Sequence, residues 1–175
     1  MFFRTAALAL AVAVSGISVV SYGQDSPAHT AELKKDEAEL KTYTLTMDIV
    51  NRTAVTVGAI RDALKSDPAL QKSNKERSDA NQEDEQATIG QLASVYSSSP
   101  KLIAIAAAHG FTPRKFALSK MSIVQAGFGV AALQAGASMS DVAKSGVNTD
   151  NVKLFRDHKA ELDELFKKYP IGDPH

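Results

Sequence analysis

The sequence contains no cysteine and no tryptophan, and only 6% of its 175 residues are aromatic. The absence of cysteine excludes a disulfide-stabilised scaffold, a cysteine-ligated metal centre and covalently attached haem. Basic and acidic side chains number 20 each, and no segment gathers lysine and arginine without acids beside them. We therefore expect no binding of nucleic acid, which needs a basic patch.

The N-terminus has the layout of a signal peptide. Arg4 precedes a largely apolar stretch, Ala6 to Val20, and a pattern of small residues typical of a cleavage site ends at Gly23. We expect residues 1–23 to be removed and residues 24–175 to remain as a periplasmic or secreted protein. An uncleaved membrane anchor is the alternative, although the apolar stretch is shorter than the roughly 20 residues of a typical span.

The remaining chain, residues 24–175, has the length of one domain. Its apolar residues recur at spacings of three, four and seven, and no stretch shows sustained alternation with β-branched residues. This pattern favours helices over strands. We predict an all-α fold, a single-domain bundle of four to five helices after the signal peptide.

The first predicted helix runs from Leu33 to Ser66. Its apolar positions form one continuous stripe, and it ends at Asp67 because the residue before Pro68 is disfavoured in the helical conformation. Residues 71–86 then contain many charges and a single apolar side chain. Such a segment cannot bury enough surface to offset its ordering entropy, so we predict a flexible charged connection around residues 71–86.

Serine or threonine before proline marks two further helix starts. Ser99 and Thr112 can each cap free backbone N–H groups, and the proline that follows each of them loses no hydrogen bond at the first helical position. Gly110 lies between these two starts and is typical of a helix end.

The segment from Phe116 to Met139 is predicted to be the central helix, because Lys120 is its only charged residue. Gln125 and several glycines disfavour a membrane span, so we expect a core helix and no membrane span in the mature chain. Small residues such as Ala131 and Ala135 would allow neighbouring helices to approach closely.

The C-terminal part of the chain is predicted as a loop followed by one helix. The loop, Gly136 to Gly146, holds a short turn opened by Ser140. Asn148 or Thr149 caps the final helix, whose apolar positions follow the helical period, and Pro170 ends it.

One constellation has the residue types of a metal site. His158 and Glu161 stand three apart on the final helix, with Asp157 beside them. The charges that continue along this helix predict a solvated face instead. A non-covalent haem between His158 and Met47 is a second form of the idea, although Met47 fits the core stripe without any cofactor.

The known catalytic and cofactor motifs are missing. The sequence contains no glutamate three residues before a histidine, no pair of histidines four apart and no serine nucleophile elbow, which are the patterns of di-iron bundles, zinc proteases and many serine hydrolases. We expect no catalytic residues and no cofactor.

As an alternative, five apolar residues predict a ligand cavity between the helices of the bundle. If the glycines and alanines of the central helix leave space, the cavity would be lined by Phe116, Met121, Phe128, Phe155 and Phe166.

The order of the predicted helix starts and ends resembles that of a known group of proteins. The segment Pro100 to Gly110 is followed by Phe111 to Phe116 and an alanine-rich helix with Gln125. Over Tyr43 to Leu165 the chain resembles a group of small exported bacterial all-helical proteins with no assigned activity. The resemblance implies a periplasmic helical protein and carries over no catalytic residue. Lys115 stands where such proteins have an acidic residue, so we expect no reciprocal capping box at that helix start.

Taken together, these patterns favour a non-enzymatic periplasmic binding or interaction domain, for which another envelope protein or an apolar ligand is a candidate partner. A carrier of an apolar small molecule, held in a cavity between helices, is the alternative. A metal or haem site near His158 is a weaker alternative.

Overall fold

The computed structural model describes residues 27–81 and 88–171, so the predicted signal peptide, residues 1–23, lies outside the described residues. The described segments contain nine helices and no strand, which confirms the all-α prediction. The helices are α1 (Pro27–Thr42), α2 (Met47–Ser66), α3 (Pro68–Asn81), α4 (Ile89–Tyr96), α5 (Pro100–Ala108), α6 (Pro113–Gln134), α7 (Met139–Lys144), α8 (Thr149–Asp157) and α9 (Lys159–Lys168). The prediction of four to five helices is wrong, because short breaks divide several predicted helices.

The first predicted helix is two helices, α1 and α2, separated at residues 43–46. Thr46 caps α2 through its side chain. The side chain of Asn151 accepts a hydrogen bond from the N–H of Leu45 and donates one to the carbonyl of Tyr43, each over 2.8 Å. A distant residue on α8 thus satisfies the backbone groups that the break leaves free. The apolar stripe continues across the break, so the spacing of the apolar residues did not predict the break.

The helix α3 covers much of the segment for which composition predicts a flexible connection. That prediction needs correction for residues 71–81, which are helical, while residues 82–87 lie outside the described part of the chain. Asp67 starts the helix by accepting a hydrogen bond from the N–H of Leu70 over 3.1 Å, and Leu70 is buried. Ion pairs four residues apart follow along α3: Lys72 with Glu76, and Lys75 with Asp79. Local pairs of this kind support a helix that has little apolar face.

The C-terminal part contains three helices rather than a loop and one helix. The predicted loop holds α7, which begins at Ser138 in a reciprocal capping box with Asp141 and not at Ser140. The predicted final helix is divided at His158 into α8 and α9. Asn148 caps α8, as predicted, by accepting hydrogen bonds from two N–H groups of the first turn.

The two starts before proline are confirmed. Ser99 accepts a hydrogen bond from the N–H of Lys101 at the start of α5, and Thr112 accepts one from the N–H of Lys115 at the start of α6. No reciprocal bond returns to Thr112, because Lys115 offers no acceptor. Gly110 lies between the two helices with a φ of +79°, a conformation that favours glycine.

The helix α6 is central, as predicted, and packs against α1, α2, α4, α5, α7 and α8. It links two apolar clusters, the first around Phe116 and the second around Phe155. Within the described ranges, α6 is also the one helix long and apolar enough to cross a membrane. Contact with six other helices is what the core helix of a bundle makes.

Candidate functional site

The structure divides the five predicted cavity residues among separate places. Phe116 is fully buried in the first cluster. Phe155 and Phe166 pack against each other in the second cluster, with ring centroids 6.0 Å apart. Met121 lines a groove between α1 and α6, and Phe128 is 70% exposed. These five residues therefore do not line one common cavity.

The groove beside Met121, which we name the α1–α6 groove, is open to solvent and has a volume of about 520 Å³. Its apolar wall is formed by Leu33, Leu40, Ile89 and Met121, and its polar margin includes Thr30, Lys34, Glu37 and Gln125. A volume of this size lies within the range of about 300 to 1,000 Å³ found for small-molecule sites.

One buried carboxylate holds α1 beside this groove. Asp36 accepts a hydrogen bond from the N–H of Ile89, the first residue of α4, over 2.6 Å, and a second from Arg114 of α6 over 3.1 Å. Arg114 also donates to Glu39 over 2.5 Å. The bond to Glu39, together with that to Asp36, raises the pKa of Arg114, so the guanidinium stays charged. Both carboxylate oxygens of Asp36 have partners, which fits a role in positioning α1.

The predicted metal constellation is only partly assembled. The Nδ1 atom of His158 lies 3.4 Å from a carboxylate oxygen of Glu161 on the surface, while Asp157 pairs with Arg156. No group of three or more potential ligands for a metal occurs among the residues that the structure describes.

His158 likewise does not lie in an enclosed site of the kind that a haem would occupy. Met47 packs against the second cluster, as predicted from its position in the core stripe, and the side chain of His158 is 43% exposed. A buried haem pocket needs an axial ligand that faces the interior, so the surface position of His158 does not favour one.

An exposed apolar surface lies on α6. Three large apolar side chains are exposed in the described structure, and two of them, Val124 and Phe128, stand one turn apart on this helix. Gly127, Ala131 and Ala135 are exposed on the same side. We name this set of five residues the Phe128 face.

The segment of sequence that carries the Phe128 face is uncharged. The segment from Met121 to Ser140 contains no charged residue, whereas Lys120 and Asp141 lie immediately before and after it. An exposed apolar patch of this kind is typical of an interaction site in a protein that is otherwise well covered by polar groups.

A second, smaller groove adjoins the exposed ring of Phe128. It has a volume of about 290 Å³ and lies between the C-terminal half of α6 and α7. Its lining is mostly apolar: Phe128, Gly129, Ala132, Ala137, Val142 and Val147, with Asp141 and Ser145 also present. We name it the α6–α7 groove.

Two glycines define the inner and outer sides of α6. A Cβ atom at Gly129 would lie 2.5 Å from a methyl group of Val152, so this position faces the tightly packed contact with α8. A Cβ atom at Gly127 would meet nothing within 4 Å. The two positions are only two residues apart, yet one is a packing contact and the other opens to solvent.

No protein-family model, no curated protein and no solved structure matches this chain.

Sequence reasoning missed both the Asp36 network and the surface position of Phe128. The sequence did contain a signal for the surface position of Phe128. The uncharged run from Met121 to Ser140 is long enough to surround the helix with apolar residues. When a helix is apolar on all sides, its period does not identify the side that faces the core.

Proposed function

We propose that the mature protein is a non-enzymatic binding domain of the bacterial periplasm that contacts another protein through the Phe128 face. The observation that carries this proposal is the 70% exposure of Phe128 on an uncharged side of the central helix. Export to the periplasm is part of the proposal and rests on the signal-peptide pattern of residues 1–23.

The energetic argument starts from the exposed ring. Burying a phenylalanine side chain in an interface is worth about 1.5 to 3 kcal/mol relative to leaving it in water, and aromatic side chains dominate the binding energy of many interfaces. Val124 lies one turn away and would extend the apolar contact.

A photo-crosslinking amino acid in place of Phe128 tests this proposal in the host cell. The matched control carries the same amino acid in place of Lys72, whose side chain is 80% exposed on α3. We expect the Phe128 position to form one discrete protein adduct and the Lys72 position to form none. Equal adduct patterns at both positions, or none at either, would contradict a specific role for the Phe128 face.

The α1–α6 groove supports a second function, the transport of an apolar small molecule. Its apolar wall and its polar margin of Lys34, Glu37 and Gln125 resemble the lining of small-molecule sites. Met121, one of the five residues predicted to line a cavity, contributes to this wall.

Mass spectrometry of solvent extracts from protein purified out of its own envelope tests the carrier function. A bound molecule should be recovered in near-stoichiometric yield from the wild type and should be lost from Met121→Trp, which fills the groove. Phe128→Ser is the control, because it changes an apolar residue outside the groove. Recovery of nothing from the wild type would remove this function.

A further inference from the structure

We propose that α1 is a hinged arm that opens and closes the α1–α6 groove, and that Arg114 is the latch that holds the arm closed. This inference rests on the second proposed function, the carrier, and names the element that regulates access to its site. Three features of α1 support it: little apolar burial, attachment through polar contacts, and a fixed break at one end.

The packing of α1 against the rest of the molecule is sparse. Of its 16 residues, only Asp36 and Leu40 are buried, and one of these two is charged. Leu33 is half-buried, and residues 27–32 include no buried residue. Regions with few buried apolar contacts open locally at a lower free-energy cost than the whole fold unfolds. The helix α1 can therefore leave the surface while the other helices stay packed.

Polar contacts to α4 and α6 hold the C-terminal half of α1 in place. Arg114 of α6 donates hydrogen bonds to Asp36 over 3.1 Å and to Glu39 over 2.5 Å. Asp36 also accepts a hydrogen bond from the N–H of Ile89. The side chains of Arg114 and Glu39 are 38% and 36% exposed, so water can solvate both when their contact breaks. One arginine thus joins two acids of the arm to α6, through contacts that can form again after each opening.

Two other acids of α1 lie against backbone rather than apolar side chains. A Cβ atom at Gly90 would collide with the carboxylate of Glu32, and one at Gly146 would lie 3.3 Å from the carboxylate of Glu37. Glycine at both positions leaves room for these carboxylates. Because water solvates carboxylates well, this side of α1 loses little free energy when it separates from the surface.

The break between α1 and α2 supplies a fixed pivot for the movement. The hydroxyl oxygen of Tyr43 lies 2.8 Å from that of Ser119 on α6. Asn151 of α8 bonds both the carbonyl of Tyr43 and the N–H of Leu45, which is buried. These contacts hold residues 43–46 to α6 and α8, so a rotation of α1 is confined to the backbone just before Tyr43. Hinges typically lie at such ends of secondary-structure elements.

Movement of α1 changes the α1–α6 groove directly. Leu33 and Leu40 of α1 form one part of its apolar wall, and Ile89 and Met121 form the part that belongs to α4 and α6. Ile89 is 1% exposed while the arm is closed. Opening removes the α1 part of the wall and uncovers Ile89, so that a ligand can enter. A ligand between the two parts favours the closed state, because it contacts both parts only there.

Amide hydrogen exchange of the purified mature protein, followed by NMR, tests the opening. The N–H of Ile89 is the first of α4 and is bonded to Asp36, so its protection depends on α1. Ala54, fully buried in α2, reports on unfolding of the whole fold. We expect a protection factor for Ile89 at least about a hundredfold lower than that for Ala54. Equal protection factors would mean that α1 leaves only on complete unfolding, and would overturn the arm.

Arg114→Gln tests the latch. We expect this variant to lower the protection factor of Ile89 about tenfold further, because it removes hydrogen bonds between charged groups. Glu39→Gln changes one partly exposed partner and should lower the protection factor by a smaller amount, which keeps the test valid if Arg114→Gln does not fold. The matched control is Arg156→Gln, because Arg156 pairs with the exposed Asp157 and should leave Ile89 unchanged. No effect of either latch variant would overturn the role of Arg114.

Distances between spin labels show whether α1 itself moves. The labels are attached to cysteines in place of Lys35 of α1 and Asp62 of α2, and the control pair replaces Asp62 and Lys153 of α8. All three positions are exposed, and the chain has no cysteine of its own. With Arg114→Gln, we expect a second distance for the first pair and one distance for the control pair. A single distance for both pairs would assign the exchange of Ile89 to fraying of α4 and overturn the arm.

The carrier function is decided separately, by the solvent extraction. If no molecule is recovered from the wild type while Ile89 opens independently of Ala54, the carrier function fails and the arm stands. If a molecule is recovered while Ile89 and Ala54 are equally protected, the carrier function stands and the arm is overturned.

Discussion

Asp36 and Ile89 join α1 to α4. The carboxylate of Asp36 on α1 accepts a hydrogen bond from the N–H of Ile89, at the start of α4, over 2.6 Å. Ile89 is the first residue of α4, so its N–H has no partner within the helix. The negative carboxylate also lies at the positive end of the helix dipole. One buried side chain thus satisfies a helix end and fixes the position of α1.

Asp36→Ala should lower the free energy of unfolding by about 2 to 3 kcal/mol, the cost of leaving buried charged or polar partners unsatisfied. The variant removes both the bond to Ile89 and one bond to Arg114. Urea denaturation measures the change. Glu39→Ala is the matched control, because Glu39 shares Arg114 but is partly exposed, and its loss should cost less than about 1 kcal/mol. Equal losses for the two variants would show that Asp36 has no special role.

Gly129→Ala and Gly127→Ala should change the free energy of unfolding in opposite directions. The added methyl at Gly129 would lie 2.5 Å from Val152, and such overpacking costs about 1 to 3 kcal/mol. The same methyl at Gly127 meets nothing within 4 Å, and alanine stabilises an exposed helix position by up to about 1 kcal/mol over glycine. Thermal unfolding in dilute solution compares the pair. A stabilised Gly129→Ala would mean that α8 does not pack against this side of α6.

Asn151→Ala should destabilise the break between α1 and α2. The substitution leaves the N–H of Leu45 without its side-chain acceptor and removes one donor to the carbonyl of Tyr43. The expected cost is about 2 to 3 kcal/mol, because Asn151 is buried. Asn148→Ala is the comparison, since it loses a helix cap and a second bond to Tyr43, with an expected cost of about 1 kcal/mol. Chemical denaturation of both variants ranks them, and the reverse order would contradict the prediction.

Asp67 should make the stability of the protein sensitive to acid. The hydrogen bond from the N–H of Leu70 lowers the pKa of Asp67. Desolvation opposes this effect, and the hydrogen bond and charge of Lys101 lower the pKa further. Because the pKa is lower in the folded state, the stabilisation is present above the unfolded pKa of about 4 and is lost as the pH falls below it.

The difference in free energy of unfolding between the wild type and Asp67→Asn tests this dependence. The wild type should lose more stability than the variant between neutral pH and pH values below about 4. Asp48→Asn is a suitable control, because Asp48 is an exposed carboxylate that pairs with Arg52 four residues away. Parallel pH profiles for the wild type and Asp67→Asn would refute the contribution of Asp67.

The sequence by itself determined the helical class and several helix ends. Ser99 and Thr112 start helices with proline at the first position, and Gly110 takes a positive φ between them. These features depend only on neighbouring residues: a side-chain oxygen close to free N–H groups, a ring that needs no hydrogen bond, and a residue without a Cβ atom. Local chemistry of this kind is independent of the rest of the fold, which is why it could be predicted.

Only the tertiary structure decided the break at residues 43–46 and the exposure of Phe128. The break depends on Asn151, more than 100 positions along the chain, and no local pattern reveals such a partner. Phe128 belongs to a helix segment without charge, so the spacing of the apolar residues does not show which side of the helix faces the core. The packing of Gly129 against Val152 fixes the rotation of α6, and that rotation leaves Phe128 facing solvent, where it can meet a partner.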